Sequence, residues 1–283
     1  MDIVGLSIQA GSVSGVKGIL GVGCNRLNML DIGFFGCNEN FRLDGGGWNR
    51  VINCETSGSA TRPSGSFWIG SSDDTKYGNV FSIIENYQVR VTATGTADPV
   101  CTFRRAVAMK ITNLIASSVV FNSTLLLIEN DCQGLQFTGS CVGFGVGAWL
   151  RKGSGVDKAP IFNSFTDFEF DQNTTNSILI DAGENNRFTS CPITSSDIGT
   201  GTKAIYLGPD SRANRFAGVH VAGYYSANGA GWLFDQSSDN TLDNCTVSGG
   251  NVGIVANGTG HTNNIVQNSD FGENMIGSAV VGD

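Results

Sequence analysis

The chain has 283 residues, a formal net charge of −8, 39 Gly against 5 Pro, and 15% charged residues. The acidic balance argues against a nucleic-acid partner, because phosphate binding relies on clustered Lys and Arg, and no apolar run reaches the roughly 18 residues of a membrane span. A Gly-rich, weakly charged composition suits many short strands joined by turns and argues against a helical protein.

The first residues, Met1 to Gly11, carry no basic segment ahead of an apolar core, so no signal peptide is expected, and strand-like sequence begins at Asp2–Ile8. Asn25 then opens a phrase whose apolar residues follow at two, five and seven places: Leu27, Leu30 and Ile32. Asn49 opens the same phrase with Val51, Cys54 and Thr56. From about 57 to 160 strand character persists while the spacing blurs. Asn79 gives a poor copy, and Asn113 a tolerable one with Ile115, Ser118 and Val120. The segments 94–99 and 151–160 read as insertions between coils. Leu125 to Ile128 is apolar on both faces, which predicts a covering loop or subunit.

The phrase then returns cleanly: Asn163 with Phe165, Phe168 and Phe170; Asn186 with Phe188, Cys191 and Ile193; Asn214 with Phe216, Val219 and Val221; Asn240 with Leu242, Cys245 and Val247. Asn264 opens a weaker copy with Val266, Ser269 and Phe271. A solenoid needs polar caps. None is evident before Asp2 or after Val281, which predicts a longer natural chain or partners over the ends.

Copies about 23–28 residues apart, each with a second apolar segment such as Ile178 and Ile180 or Ile205 and Leu207, predict a stack of coils. The fold class is therefore all-β: a single parallel β-helix over residues 1–283. Positions two, five and seven cannot share one strand parity, so a bend must lie between the second and the fifth. The recurring Asn belongs at a corner, where it tolerates left-handed backbone and bonds its counterparts along the axis. Of the 8 Cys, Cys54, Cys191 and Cys245 share one inward position and read as free, buried thiols, which suits assembly in a reducing cytoplasm. No zinc spacing is present, and neither metal nor cofactor is expected.

Asn-Arg-Phe phrases on coils of this length, with trailing Gly-rich apolar strands, resemble the right-handed parallel β-helix of bacteriophage tailspikes and related pectate-lyase-like proteins. The resemblance covers most of the chain but lies in repeat style, which speaks for fold more than for activity. It implies a homotrimer on the virion tail, made in the host cytoplasm. Its partner would be a bacterial surface polysaccharide (capsule, exopolysaccharide or O-antigen), bound and often cleaved by hydrolysis or β-elimination. The paired Asp of polygalacturonase-like chains is missing; Gly260-His261-Thr262 is the nearest approach to their Gly-His-Gly motif.

The strongest chemical constellation is Asp167-Phe-Glu-Phe-Asp171. With Phe168 and Phe170 inward, Asp167, Glu169 and Asp171 face outward. Carboxylates two apart on a strand stand about 6.6 Å apart, within the roughly 6.5–9.5 Å of inverting glycosidases. A solvated acidic face and a cation site are the competing readings. The preferred mechanism is hydrolysis, with Glu169 as general acid and Asp167 or Asp171 as base. One alternative is a lyase with a Tyr or His base, and another is a non-catalytic receptor-binding segment. For substrate binding, His220 falls two coils beyond Glu169, and Arg187 and Arg215 project in register, suited to sugar carboxylates; Arg26 and Arg50 form a similar pair. Tyr206, Tyr224 and Tyr225 supply aromatic faces, whereas Trp232 belongs in the core. A weaker lyase candidate is the segment Glu85 to Arg90, with Tyr87.

Overall fold

A computed structural model describes the chain apart from residues 10–16, 38, 58–65, 74, 92–98, 120, 154–157, 196–202, 225–228, 250–251, 274–279 and 282–283. Every regular element among the described residues is a strand. Each strand pairs in parallel with its counterpart one coil later. One sheet of eleven strands runs from Lys17–Val22 through Val146–Arg151, Asn176–Glu184 and Lys203–Arg212 to Val280–Val281. The other takes two short strands per coil: Arg187–Thr189 and Pro192–Thr194 stack on Arg215–Ala217 and His220–Ala222. A chain that winds onto itself satisfies parallel pairing without a crossover helix. The protein is a parallel β-helix, as the repeat predicts.

The expected bend is a single left-handed residue between the paired strands. Asp31, Asn53, Asn86, Asn113, Asp167, Ser190, Gly218, Asn244 and Asn268 take φ between 49° and 61° there, mostly residue types that enter this region at low cost. In the middle coils the two strands fuse into one, as in Ile83–Val91, Lys110–Ser118, Gln136–Val142 and Ser164–Asp171. The bend survives as a register shift at Ile111/Leu114 and Phe137/Gly139. Gly139 has φ 143°, and a Cβ on it would lie 2.0 Å from the Leu114 carbonyl oxygen, so only glycine fits.

Asn163, Asn186, Asn214 and Asn240 are fully buried and bonded in a continuous ladder to Asn264. The column continues upstream through Leu135, Met109, Ser82, Asn49 and Leu27, as the strand register and the hydrogen bonds to Asn163, Ser82 and Asn49 show. Two sequence readings are corrected by this register. Leu27, not Asn25, occupies the first Asn position, so the inward residues are Met29, Ile32 and Phe34 while Leu30 is partly exposed. Asn113 is a bend residue; Ile111, Leu114 and Ala116 point inward and Ile115 is 42% exposed. The even shift leaves Leu27 and Ile32 of the first copy and Ser118 of the second buried, and among the described residues misplaces only the one that it carries across the bend, Leu30 or Ile115.

The core is layered by coil. Phe137, Phe165, Phe188 and Phe216 stack nearly parallel, with centroid separations of 4.6, 4.9 and 4.8 Å. All eight cysteines are free and seven are buried. Leu125, Leu126, Leu127 and Ile128 are at most 3% exposed within the single chain; the expected covering subunit is therefore not needed to hide them. In the final coil Val266 is 46% exposed while Phe271 stays in the core at 7%. Of the two expected insertions, 94–98 and 154–157 lie outside the described residues.

Candidate functional site

Strand Ser164–Asp171 carries the predicted carboxylates. Phe165, Phe168 and Phe170 are fully buried, which turns Glu169 and Asp171 to the outer face. Glu169 is exposed, and half-buried Asp171 accepts a hydrogen bond from the Thr194 hydroxyl one coil on. Asp167 is exposed but occupies the left-handed bend, with φ 49°, so it flanks the pair rather than continuing the alternation. Among the described residues no group of three or more His, Cys, Asp or Glu is arranged to hold a metal ion.

Register stacks Ser140, Glu169, Pro192, His220 and Thr246 in one outward column. His220 is exposed, two coils from Glu169, or about 10 Å, and its Nδ1 bonds the Thr246 hydroxyl. Arg187 and Arg215 are direct partners on adjacent strands. Both are exposed, and they line a shallow cleft of about 260 Å³ with Thr189, Thr241, Asp243 and Gln267. Arg26 and Arg50 do not form a similar pair. Arg50 aligns with Asn28, so Arg26 lies on the opposite side of the buried Asn column.

The tyrosines divide. Tyr224 is 1% exposed and its hydroxyl bonds Ser177 at 3.0 Å; burial pushes its phenol well above the ordinary value. It is a core residue with no face free for a sugar. Tyr225 lies outside the described residues. Tyr206 is half-buried and donates to Asp235 at 2.8 Å, while Trp232 is fully buried, as expected. Tyr87 is also in the core, bonded to Thr56 at 2.6 Å, and burial raises its phenol strongly. That removes it as a lyase base.

A larger cleft, about 660 Å³, was not legible in the sequence; its lining includes Asp131, Gln133, Lys158, Glu184, Asp210 and Arg212. At one end the carboxylate of Asp131, itself 1% exposed, accepts from Tyr77 at 2.6 Å and from Gln133 at 2.7 Å and pairs with Lys158 at 3.2 Å. The hydrogen bond donated to Asp131 raises the Tyr77 phenol, and the same carboxylate raises the Lys158 ammonium. Elsewhere in the cleft Lys152 pairs with Asp210 at 3.0 Å and Arg212 pairs with Glu184. These residues lie just before the buried Asn column on successive coils. No charge repeats at a fixed offset along the chain, since Gln133, Ile161, Glu184, Arg212 and Ser238 share one position before the column.

Fold and surface together define a parallel β-helix protein with an acidic outer strand, a neighbouring arginine pair and a charged cleft at one corner. No protein-family model matches the sequence, and no curated protein matches it. Among solved structures it is similar to the A-module of the Azotobacter vinelandii mannuronan C-5 epimerase AlgE4, at 12% identity and TM-score 0.60 over 99% of this chain and 91% of that one. The AlgE6 A-module of the same organism gives 12% identity and TM-score 0.54 over 100% and 91%. The Dettilon tailspike protein gives 13% identity and TM-score 0.56 over 99% of this chain and 61% of that one. At these identities the likeness is one of fold.

Proposed function

We propose that the protein binds a bacterial surface polysaccharide and depolymerises it by hydrolysis, as a trimeric component of a virion tail. The observation that carries this reading is the placement of Glu169 and Asp171 on one outer face of a strand anchored by buried Phe168 and Phe170. Their separation suits an acid and a base with a water between them. Glu169 acts as general acid and Asp171, or Asp167 beside it, as base; His220, Arg187 and Arg215 hold the chain. The reading is supported by fold neighbours named as a tailspike and as epimerases of mannuronan. The exposure of Asp167 and Glu169 favours a second reading, in which the protein binds the polymer without cleaving it.

The test is release of reducing ends from a panel of capsular and lipopolysaccharide polymers, comparing wild type with Glu169→Gln and Asp171→Asn. Loss of one general acid or base lowers the rate by about 10²–10⁴-fold. Undiminished cleavage by both variants removes the carboxylate assignment. Unsaturated-uronate absorbance instead of plain reducing ends points to a lyase. Binding with no cleavage of any polymer favours the second reading.

A further inference from the structure

The corner at the buried Asn column carries a feature that the carboxylate site does not use. One residue before the column, the backbone is left-handed on every coil from Arg26 to Asn263. Gly134, Asn185 and Asn263 suit that conformation. Trp48, Phe81 and Phe162 do not: bulky residues enter it only under strain. Yet they hold φ of 55°, 56° and 57° and are 56%, 55% and 59% exposed. Core packing does not account for rings that point into solvent. Trp48 and Phe81 lie on adjacent coils with centroids 6.0 Å apart. Between Phe81 and Phe162 the same column holds only Ala108 and Gly134. The result is a trough about 14 Å long, three coil spacings, floored by small residues and ended by exposed rings.

One residue after the column, exposed Arg50, Lys110, Arg187 and Arg215 point outward. They form no ion pair with any described residue, whereas seven other cations do. On a chain of net charge −8, cations that pair with no described residue, interspersed with Ile83, Gln136 and Ser164 and set near strained, exposed aromatics, are a local reversal of the surface.

We propose that this corner is a binding trough for an anionic polysaccharide. Sugar faces stack on the Trp48–Phe81 pair and on Phe162, and Arg50 and Lys110, on the other side of the buried column, meet the carboxylate, sulfate or phosphate groups of a chain laid across the corner. The proposal rests on the polysaccharide reading for its ligand class but not on cleavage. Single-stranded nucleic acid also pairs stacking with positive charge. The polysaccharide reading favours a sugar polymer, and tighter binding of an oligonucleotide is the result that would overturn it.

Affinity electrophoresis of the full chain tests this, with mannuronan, polygalacturonate, hyaluronan or polysialic acid in the gel, dextran as neutral control, and an oligo(dT) strand in a separate assay. Retardation is expected in at least one acidic gel, weakening with salt, and not in dextran. Trp48→Gly with Phe81→Gly, and separately Arg50→Gln with Lys110→Gln, should each weaken it about tenfold. Arg90→Gln, an exposed cation on a different outward column, should leave it unchanged. Glycine suits the left-handed backbone, so the double glycine variant should melt no lower than wild type; lost stability together with lost binding would make the rings structural. The proposal is overturned by no retardation in any acidic gel, by equal retardation in dextran, by tighter binding of oligo(dT), or by unchanged binding of the double glycine variant. A protein retained here that cleaves nothing refutes the hydrolytic reading and keeps this one.

Discussion

The carboxamide oxygen of Asn186 accepts hydrogen bonds from both the backbone N–H and the side-chain amide of Asn163, each at 3.0 Å. Asn214 does the same for Asn186, at 3.1 and 3.0 Å. The ladder therefore serves main chain and side chain at once, in a region with no access to water. Asn214→Ala orphans two buried donors, each costing about 1–3 kcal/mol, so a loss of about 2–6 kcal/mol is expected in urea unfolding. Asn264→Ala, at the half-buried end of the column, should cost clearly less. Equal effects at the two positions would show that burial does not set the contribution.

The phenylalanine stack makes a second prediction. Phe188 lies between Phe165 and Phe216 at 4.9 and 4.8 Å, with interplanar angles of 5° and 7°. Phe188→Ala opens a cavity that the flanking coils cannot close without breaking their parallel pairing. The expected loss is about 3–5 kcal/mol, measured by chemical denaturation. A loss below about 1 kcal/mol would mean that the coils collapse onto the gap.

Thiol chemistry should separate one cysteine from seven. Cys24 is partly exposed and the other seven are buried, and burial pushes Cys132, Cys141 and Cys191 up to about 12. The thiolate is the reactive form. Native protein at mildly alkaline pH should therefore react with an aromatic disulfide reagent at Cys24 alone, and unfolded protein at all eight.

Stability should fall on the alkaline side. Burial raises the phenols of Tyr87 and Tyr224 above their ordinary value of 10.0 and the thiols of Cys132 and Cys191 above 9.0. A raised folded value means that the contribution is complete below the unfolded value and is lost as pH rises through the folded one. Stability should hold below about pH 9 and decline above it. The tyrosinate absorbance of Tyr87 and Tyr224 should appear only with unfolding; its appearance while the circular dichroism of the strands is intact would contradict their burial.

Much of the fold was legible because a solenoid repeats its instructions. From Asn163 to Asn240 the Asn and the apolar residues at two, five and seven places fall where the structure has them, and the inferred bend is a left-handed residue at Asp167, Ser190, Gly218 and Asn244. Legibility failed where the ladder residue changed. Ser82, Met109 and Leu135 occupy Asn positions without resembling Asn, and among the described residues an even shift of register misplaces only the one carried across the bend, Leu30 or Ile115. That is why Asn25 and Asn113 misled.

The candidate site was legible only in part, for the same reason. Glu169, His220, Arg187 and Arg215 stand in the columns expected of them. Tyr224 and Tyr87 were ambiguous because a tyrosine can bury its ring and still satisfy its hydroxyl, here on Ser177 and Thr56. The pairing of Tyr77 with Asp131, 54 residues away, had no local signal at all.

By itself, then, the sequence determined the parallel β-helix, its coil length, the inward layers from Asn163 to Asn240 and the acidic character of the strand at Asp167–Asp171, because each follows from the repeat. Which coils stack in which register was decided only by the tertiary structure. That choice joined Asp131 to Tyr77 and Lys158 and set Trp48 beside Phe81 at one corner. Side chains tens of residues apart become neighbours along the axis, and contacts along the axis depend on loop lengths that strand periodicity does not record.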